Sequence, residues 1–253
     1  MRLDGRVAVV TGSSSGIGRA IAEVYARYGA RVVINSRSAG PAREVAGEFV
    51  ASGWQAVPAA GDVGDPVQAE AIVRAAVEAW GRVDVLVNNA GVTKIAPSEE
   101  LPVEEWQRVI ATDLSGAFYC ARAAAKVMIP QRRGVIINIG SILSHMGIPG
   151  RAAYAAAKHG LAGLTKVLAV EWAAHNIRVV NLDPGYIYTR ATERNVAAGG
   201  FKIENIEGRT PMRRFGLVEE VAQAALFLAS DAAGYITGCS LIIDGGWTAY
   251  GGW

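Results

Sequence analysis

With 253 residues, the chain has room for one large α/β domain and not for two. Hydrophobic residues make up 51% and charged residues 19%, and a net charge of +2 with three histidines creates no field that would hold the protein on nucleic acid or a membrane surface. The two cysteines, Cys120 and Cys239, both lie in apolar stretches and are too few for a disulfide framework or a zinc site, which points to a reducing compartment and no metal.

In chain order, Met1 to Arg6 carries no signal-peptide apolar region and runs straight into a first β-branched segment, Val7–Thr11. Further strand-like runs follow at Arg31–Asn35, Gln55–Ala60, Asp84–Val87, Val135–Ile139, Ile177–Leu182 and Leu241–Ile243. Helical periodicity covers 17–29, 41–53, 66–80, 102–129, 152–175 and 218–229. Near-continuous apolar strands alternating with helices predict a sheet covered on both faces. Right-handed crossovers then make it a doubly wound α/β fold of the Rossmann type, mostly parallel and seven-stranded, in a single domain spanning 1–253. The irregular segment 189–216, with Gly199-Gly200 and Arg213-Arg214, is expected to form a substrate lid. No run of about 20 uncharged apolar residues is present to span a bilayer. The expected location is therefore the cytoplasm.

The first strand ends in Thr11-Gly12-Ser13-Ser14-Ser15-Gly16-Ile17-Gly18, and a helix starts at once. Glycines there let the backbone turn sharply and approach a pyrophosphate, whose charge sits on the N–H groups of the helix start. The G-x-x-x-G-x-G spacing differs from the general dinucleotide fingerprint, but its place between first strand and first helix supports the same reading. A dinucleotide site that selects NAD carries an acid at the end of the second strand. Here that end reads Asn35-Ser36-Arg37, and Arg37 is suited to a forked pair with a 2′-phosphate. NADP is the expected cofactor, with NAD as the alternative.

Tyr154 and Lys158 stand four apart on a predicted helix and project from one face, with Ser141 closing the fifth strand thirteen residues earlier. Reduction of a ketone by hydride leaves an alkoxide that must be protonated, and oxidation needs the reverse. A tyrosine suits that task if an ammonium nearby favours its phenolate. A serine hydroxyl can hold the same substrate oxygen.

Taken together, these motifs resemble the short-chain dehydrogenase/reductase family over essentially the whole chain. The T-G-x-x-x-G-x-G turn comprises Gly12, Ser14, Ser15, Gly16, Ile17 and Gly18. The resemblance implies that Asp62-Val63 contacts adenine and that Asn88-Asn89-Ala90-Gly91 borders the cofactor, with Asn89 in the binding set. It also implies that Pro184–Thr189 holds the nicotinamide carboxamide through Ile187 and Thr189. Ser141 would orient the carbonyl, Tyr154 donate the proton, and Lys158 also bind the ribose hydroxyls. The family's asparagine in a T-N-L-S-G pattern is Asp113 here, within Thr112-Asp113-Leu114-Ser115-Gly116. That run is poor helix material and predicts a kink in the long helix. Its carboxylate is expected either to add a charge near Lys158 or to cap the kink and point elsewhere.

Of the remaining candidates, His145 reads as a surface-loop histidine, and His159 and His175 have no partner at catalytic or metal spacing. Asp183 is an unusual charge beside the nicotinamide position, and one of the arginines is its expected partner. The edge strand Ser240–Asp244 and the aromatic tail 247–253 are expected at a subunit contact, in keeping with the homotetramers that the resemblance implies. The expected substrate is a small polar ketone, sugar or polyol. A 3-oxoacyl thioester, which Arg132 and Arg133 would suit if a carrier protein brings it, is the alternative. A non-catalytic NADP-binding sensor would be expected to lose Tyr154 or Lys158, and neither is lost.

Overall fold

The computed structural model describes residues 1–197 and 201–252. Gly199-Gly200 of the expected lid and Trp253 of the tail lie outside the described residues. Seven strands form one sheet: β1 (Val7–Val10), β2 (Arg31–Ser36), β3 (Ala56–Ala60), β4 (Val85–Asn88), β5 (Gly134–Ile139), β6 (Ile177–Pro184) and β7 (Ser240–Ile243). Their order is β3-β2-β1-β4-β5-β6-β7, and every neighbouring pair is parallel. The doubly wound architecture is as expected, and β7 stands at the sheet edge. The strand order reverses between β1 and β4, so the crevice for a ligand opens at their carboxyl ends.

Side chains on successive strand residues point to opposite faces, which divides the core in two. Ala8 and Val10 join Ile21, Tyr25, Phe49 and Leu226 on one face. Val7 and Val9 join Ile72, Cys120, Met128 and Leu168 on the other. The first face is covered by α1 (Gly16–Arg27), α2 (Ala39–Ala51) and α9 (Val218–Ala229), with the Tyr25 hydroxyl donating to Ala225 O at 3.0 Å to tie two of them together. The second is covered by α3 (Pro66–Trp80), α5 (Gly116–Gln131) and α6 (Ala152–Trp172). Cys120 is buried, and burial pushes its thiol up to about 12. Cys239 is exposed, contrary to its apolar neighbours in sequence, because the edge strand has no sheet on its far side.

The long predicted helix 102–129 is three pieces. Helix α4 (Val103–Ile110) leads into a π turn, Ala111–Ser115, and then α5. The predicted kink is thus a π turn, with Gly116 N reaching back to Ala111 O. Within 189–216 the chain forms two short helices, α7 (Arg190–Ala197) and α8 (Ile203–Arg209), where irregular structure was expected.

A polar row crosses the second face. The register sets Asn88 beside Asn138 and Asn138 beside Asn181. Asn88 Nδ2 donates to Asn138 Oδ1 at 2.8 Å, and Asn138 Nδ2 donates to Thr165 Oγ1 of α6 at 2.8 Å. All four side chains are buried. Replacing Asn138 with Leu, which gains apolar surface, should nevertheless destabilise the protein by about 2–4 kcal/mol, because two buried amide or hydroxyl groups lose a partner. Thermal unfolding should shift down by roughly 4–16 °C. An unchanged or raised melting temperature would show that the row carries no weight.

Candidate active site

At the carboxyl ends of the strands lies a cavity of about 960 Å³. The residues expected from sequence to touch cofactor or substrate line it, except Gly18 and, within the two longer motifs, Asn88 and Tyr188. Gly18 sits one turn into α1, where a Cβ would come within 2.3 Å of Asn89 Nδ2 and 2.6 Å of Gly12 O.

The turn before α1 is built for close approach. Gly12 and Gly16 have φ of +62° and +57°, a backbone conformation that favours glycine. Ser15, at the helix N-cap, makes no side-chain cap, so the first N–H groups of α1 are left for a ligand at the Ser14–Ile17 wall. Asn35 props this turn from behind. Its Oδ1 accepts from Gly12 N at 2.9 Å, and its Nδ2 donates to Ala59 O at 3.0 Å. Sequence reading noted only that Asn35 is not an acid. Its structural work depends on β3, whose position the sequence does not show. Asn89 N donates to Thr11 Oγ1 at 2.9 Å, and Asn89 Nδ2 to Thr11 O at 2.9 Å, which joins the ends of β1 and β4. Arg37 is exposed on the cavity wall and, among the described residues, forms no salt bridge. Asp62 and Val63 line the same end, and Asp62 Oδ1 accepts from Gly64 N at 2.9 Å.

At the other end, Ser141 follows β5 in extended backbone, and its Oγ accepts from Leu143 N at 3.2 Å. Tyr154 and Lys158 share a face of α6, with the Lys158 Nζ 5.3 Å from the centre of the Tyr154 ring. Lys158 is 4% exposed and donates to Ile139 O at 2.9 Å. Asp113 sits on the π turn, also buried, with Oδ1 accepting from Val92 N at 2.8 Å. Its Oδ2 lies 3.3 Å from the Lys158 ammonium and accepts no hydrogen bond among the described residues. Of the two expectations for this carboxylate, the charge near Lys158 is the one observed. Burial pushes the Asp113 carboxyl above the ordinary carboxylate range, against the pull of Lys158. Burial also pushes the Lys158 ammonium down, but Asp113 outweighs it with help from Tyr154 and Asp183, and Lys158 stands above its ordinary value.

Several expectations are corrected. Among the described residues Asp183 has no arginine partner; its Oδ2 pairs with His145 Nε2 at 2.6 Å, and His145, a surface-loop histidine as expected, is thereby tied to a buried carboxylate. Trp247 of the tail packs inward, 4.8 Å from the ring of Tyr186, and the Arg209 guanidinium lies 4.1 Å over it. Tyr186 and Phe201 are cavity walls, so this part of the tail backs the site instead of facing outward. Arg132 donates to Ala174 O at 2.9 Å, and Arg133 pairs with Asp231 at 3.3 Å. Both precede β5, whereas Ser141 follows it, so the length of that strand separates them from the cavity. Sequence reading missed Arg151, which lines the cavity and donates to Thr93 Oγ1 at 3.3 Å.

Comparison with known proteins bears on this geometry. The family model described as enoyl-(acyl carrier protein) reductase matches residues 12–248. A D-threitol dehydrogenase of Mycolicibacterium smegmatis is 39% identical over 98% of this chain and 94% of its own. A gluconate 5-dehydrogenase of Gluconobacter oxydans is 41% identical over 97% of this chain and 96% of its own. The crystal structure of a gluconate 5-dehydrogenase from Burkholderia cenocepacia, in complex with NADP and tartrate, superposes with a TM-score of 0.94 at 38% identity, covering 98% of this chain and 97% of that one.

The buried pair of charges gives a direct test. Asp113→Asn removes the carboxylate that offsets burial of Lys158, so the lysine should deprotonate at lower pH than in the parent. Nuclear magnetic resonance of labelled lysines in the two proteins reads that titration. An unmoved Lys158 titration would mean that Asp113 does not carry the charge that balances it.

Proposed function

The chain belongs to the short-chain dehydrogenase/reductase family, and we propose that it is an NADP-dependent enzyme interconverting a secondary alcohol and a ketone on a sugar, polyol or sugar acid. The observation that carries this reading is that Ser141, Tyr154 and Lys158 line the same cavity as the glycine turn before α1.

The residues present fit a dinucleotide. Gly12 and Gly16 hold positive φ, a Cβ on Gly18 has no room, and Arg37 stands where the second strand ends without an acid. Gly12, Ser14, Ser15, Gly16 and Ile17 would hold the pyrophosphate on backbone N–H groups, and Asp62 and Val63 would flank the adenine. Arg37 would pair with the 2′-phosphate. Ile187 and Thr189 would face the nicotinamide, which supplies or accepts the hydride when bound.

The chain's own groups handle the proton. Tyr154 gives its hydroxyl proton to the nascent alkoxide in reduction and takes it back in oxidation. The Lys158 ammonium, 5.3 Å from the ring, stabilises negative charge on the phenolic oxygen. Ser141 Oγ already accepts from Leu143 N, so its hydroxyl hydrogen is left for the substrate oxygen. Asp113 keeps the lysine charged without touching substrate.

The mouth suits a polyhydroxylated substrate, because Thr93, Arg151 and Glu193 line it. The named relatives support this, since threitol and gluconate are both polyhydroxylated. Helices α7 and α8 form the lid in this reading, and α7 contributes Arg190, Thr192 and Glu193 to the wall. The reading extends to a cytoplasmic homotetramer joined through the open edge of β7, where Ile242 is exposed. A monomer in sedimentation would remove that part of it.

Three measurements test the enzyme. Turnover of NADP with polyols and sugar acids should exceed NADPH oxidation with 3-oxoacyl thioesters; the reverse would favour the carrier-linked reaction of a relative such as the 41% identical Escherichia coli 3-oxoacyl-[acyl-carrier-protein] reductase. Tyr154→Phe should retain NADPH binding and lose at least about 10²-fold in kcat. Near-parental turnover would reject the proton-transfer role. Arg37→Ala should lower kcat/KM for NADPH by about tenfold or more, the loss of one charge-assisted pair, with NADH kinetics unchanged. Equal or better use of NADH by the parent protein would overturn the cofactor assignment.

A further inference from the structure

Asp183 is fully buried at the end of β6, in a place where an isolated carboxylate would be costly. It is not isolated. Its Oδ1 accepts from Ser141 N at 3.1 Å, from Ser144 Oγ at 3.2 Å and from Asn181 Nδ2 at 2.6 Å. Its Oδ2 meets His145 Nε2 at 2.6 Å, and that imidazole is the group connecting the cluster to solvent, with its side chain one-third exposed. Room for the carboxylate exists because residue 140 is glycine; a Cβ there would come within 1.8 Å of Asp183 Oδ1.

Three of these contacts, from Ser141, Ser144 and His145, belong to the turn that begins at Ser141. The Ser141 N–H is held by Asp183, and Ser144 Oγ lies 3.2 Å from the same nitrogen. Ser141 Oγ in turn caps Leu143 N, so the direction left to its hydroxyl hydrogen follows from how the backbone is held. His145 does not line the cavity.

We propose that His145 and Asp183 are positioning residues: the imidazole orients the carboxylate, and the carboxylate fixes the backbone of Ser141 so that its hydroxyl meets the substrate oxygen. This rests on the role given to Ser141 above. With the imidazole removed, Oδ2 is left buried without its donor, the carboxylate can rotate, and the Ser141 turn loosens. A shift of the order of 1 Å in a reacting group can cost about 10²-fold in rate.

The test is a double-mutant cycle on the full chain, scored by kcat, by the Kd of NADPH and by thermal unfolding. His145→Ala should lower kcat by between about tenfold and 10²-fold while leaving the Kd of NADPH within about twofold. His145→Gln, whose amide can donate in place of Nε2, should recover most of that loss. In a Ser141→Ala background, His145→Ala should have no further effect on kcat, because the two act through one group. A lowered melting temperature with parental kcat would reduce the pair to a structural support and overturn the proposal, as would fully additive losses or parallel losses in kcat and NADPH affinity. Full activity of Ser141→Ala alone would instead overturn the role of the serine, and this inference with it.

Discussion

A lysine ammonium at 4% exposure is the most demanding object in the structure, because a buried charge without partners costs several kcal/mol. Lys158 is held by one backbone carbonyl, Ile139 O, and one carboxylate, Asp113. Both arrive by way of backbone irregularities. Ile139 O is available because it faces β4, whose pairing with β5 stops at Asn88 opposite Asn138, and Asp113 is turned inward by the π turn between α4 and α5. A regular helix through 111–115 would carry its side chains round at 100° per residue and lose that placement. Such single π turns inside helices are frequent at functional sites.

The same logic extends from charge to polarity. The second face of the sheet carries an uninterrupted apolar core up to its carboxyl end, where it becomes a band of Asn88, Asn138, Asn181 and Asp183. The band lies directly under α6, the helix that bears Tyr154 and Lys158. It lets the sheet end in groups able to hold loops by hydrogen bonds, which apolar side chains cannot do. Glycine at 140 and 91 completes the arrangement, since a Cβ at either would press on a carboxylate oxygen, Asp183 at 1.8 Å or Asp113 at 2.9 Å.

Much of this was legible in the residue pattern. Helix 66–80 was bounded to the residue, since Asp65 caps it with bonds to Val67 N and Gln68 N and Gly81 ends it in left-handed backbone. The pair Tyr154 and Lys158 was readable because four residues make a turn. Helices α7 and α8 were missed because they have eight and seven residues. Helices so short are marginal on their own and are set by what they pack against. The pairing of Asp183 with His145 was equally hidden. The two are far apart in sequence, and only the β5–β6 register, with Asn138 beside Asn181, brings the Ser141 turn over the end of β6. Cys239 was misjudged for a related reason: local apolarity says nothing about which strand is last in the sheet.

The pairing of β6 with β7 has a consequence for biosynthesis. Asp183 lies opposite Ile242, and Pro184 opposite Ile243, so the wall that steadies the Ser141 turn is itself flanked by the final strand. A chain emerging from the ribosome has made the glycine turn, Ser141, Tyr154 and Lys158 more than eighty residues before Ile242 is available. Parallel pairing between strands so distant in sequence is slow, and the edge awaiting its partner is open meanwhile. The nascent chain therefore passes through a stage in which its dinucleotide half can already collapse around β1 while the far side of the sheet still exposes Val180 and Leu182. Folding of this protein should be most vulnerable to aggregation in that interval.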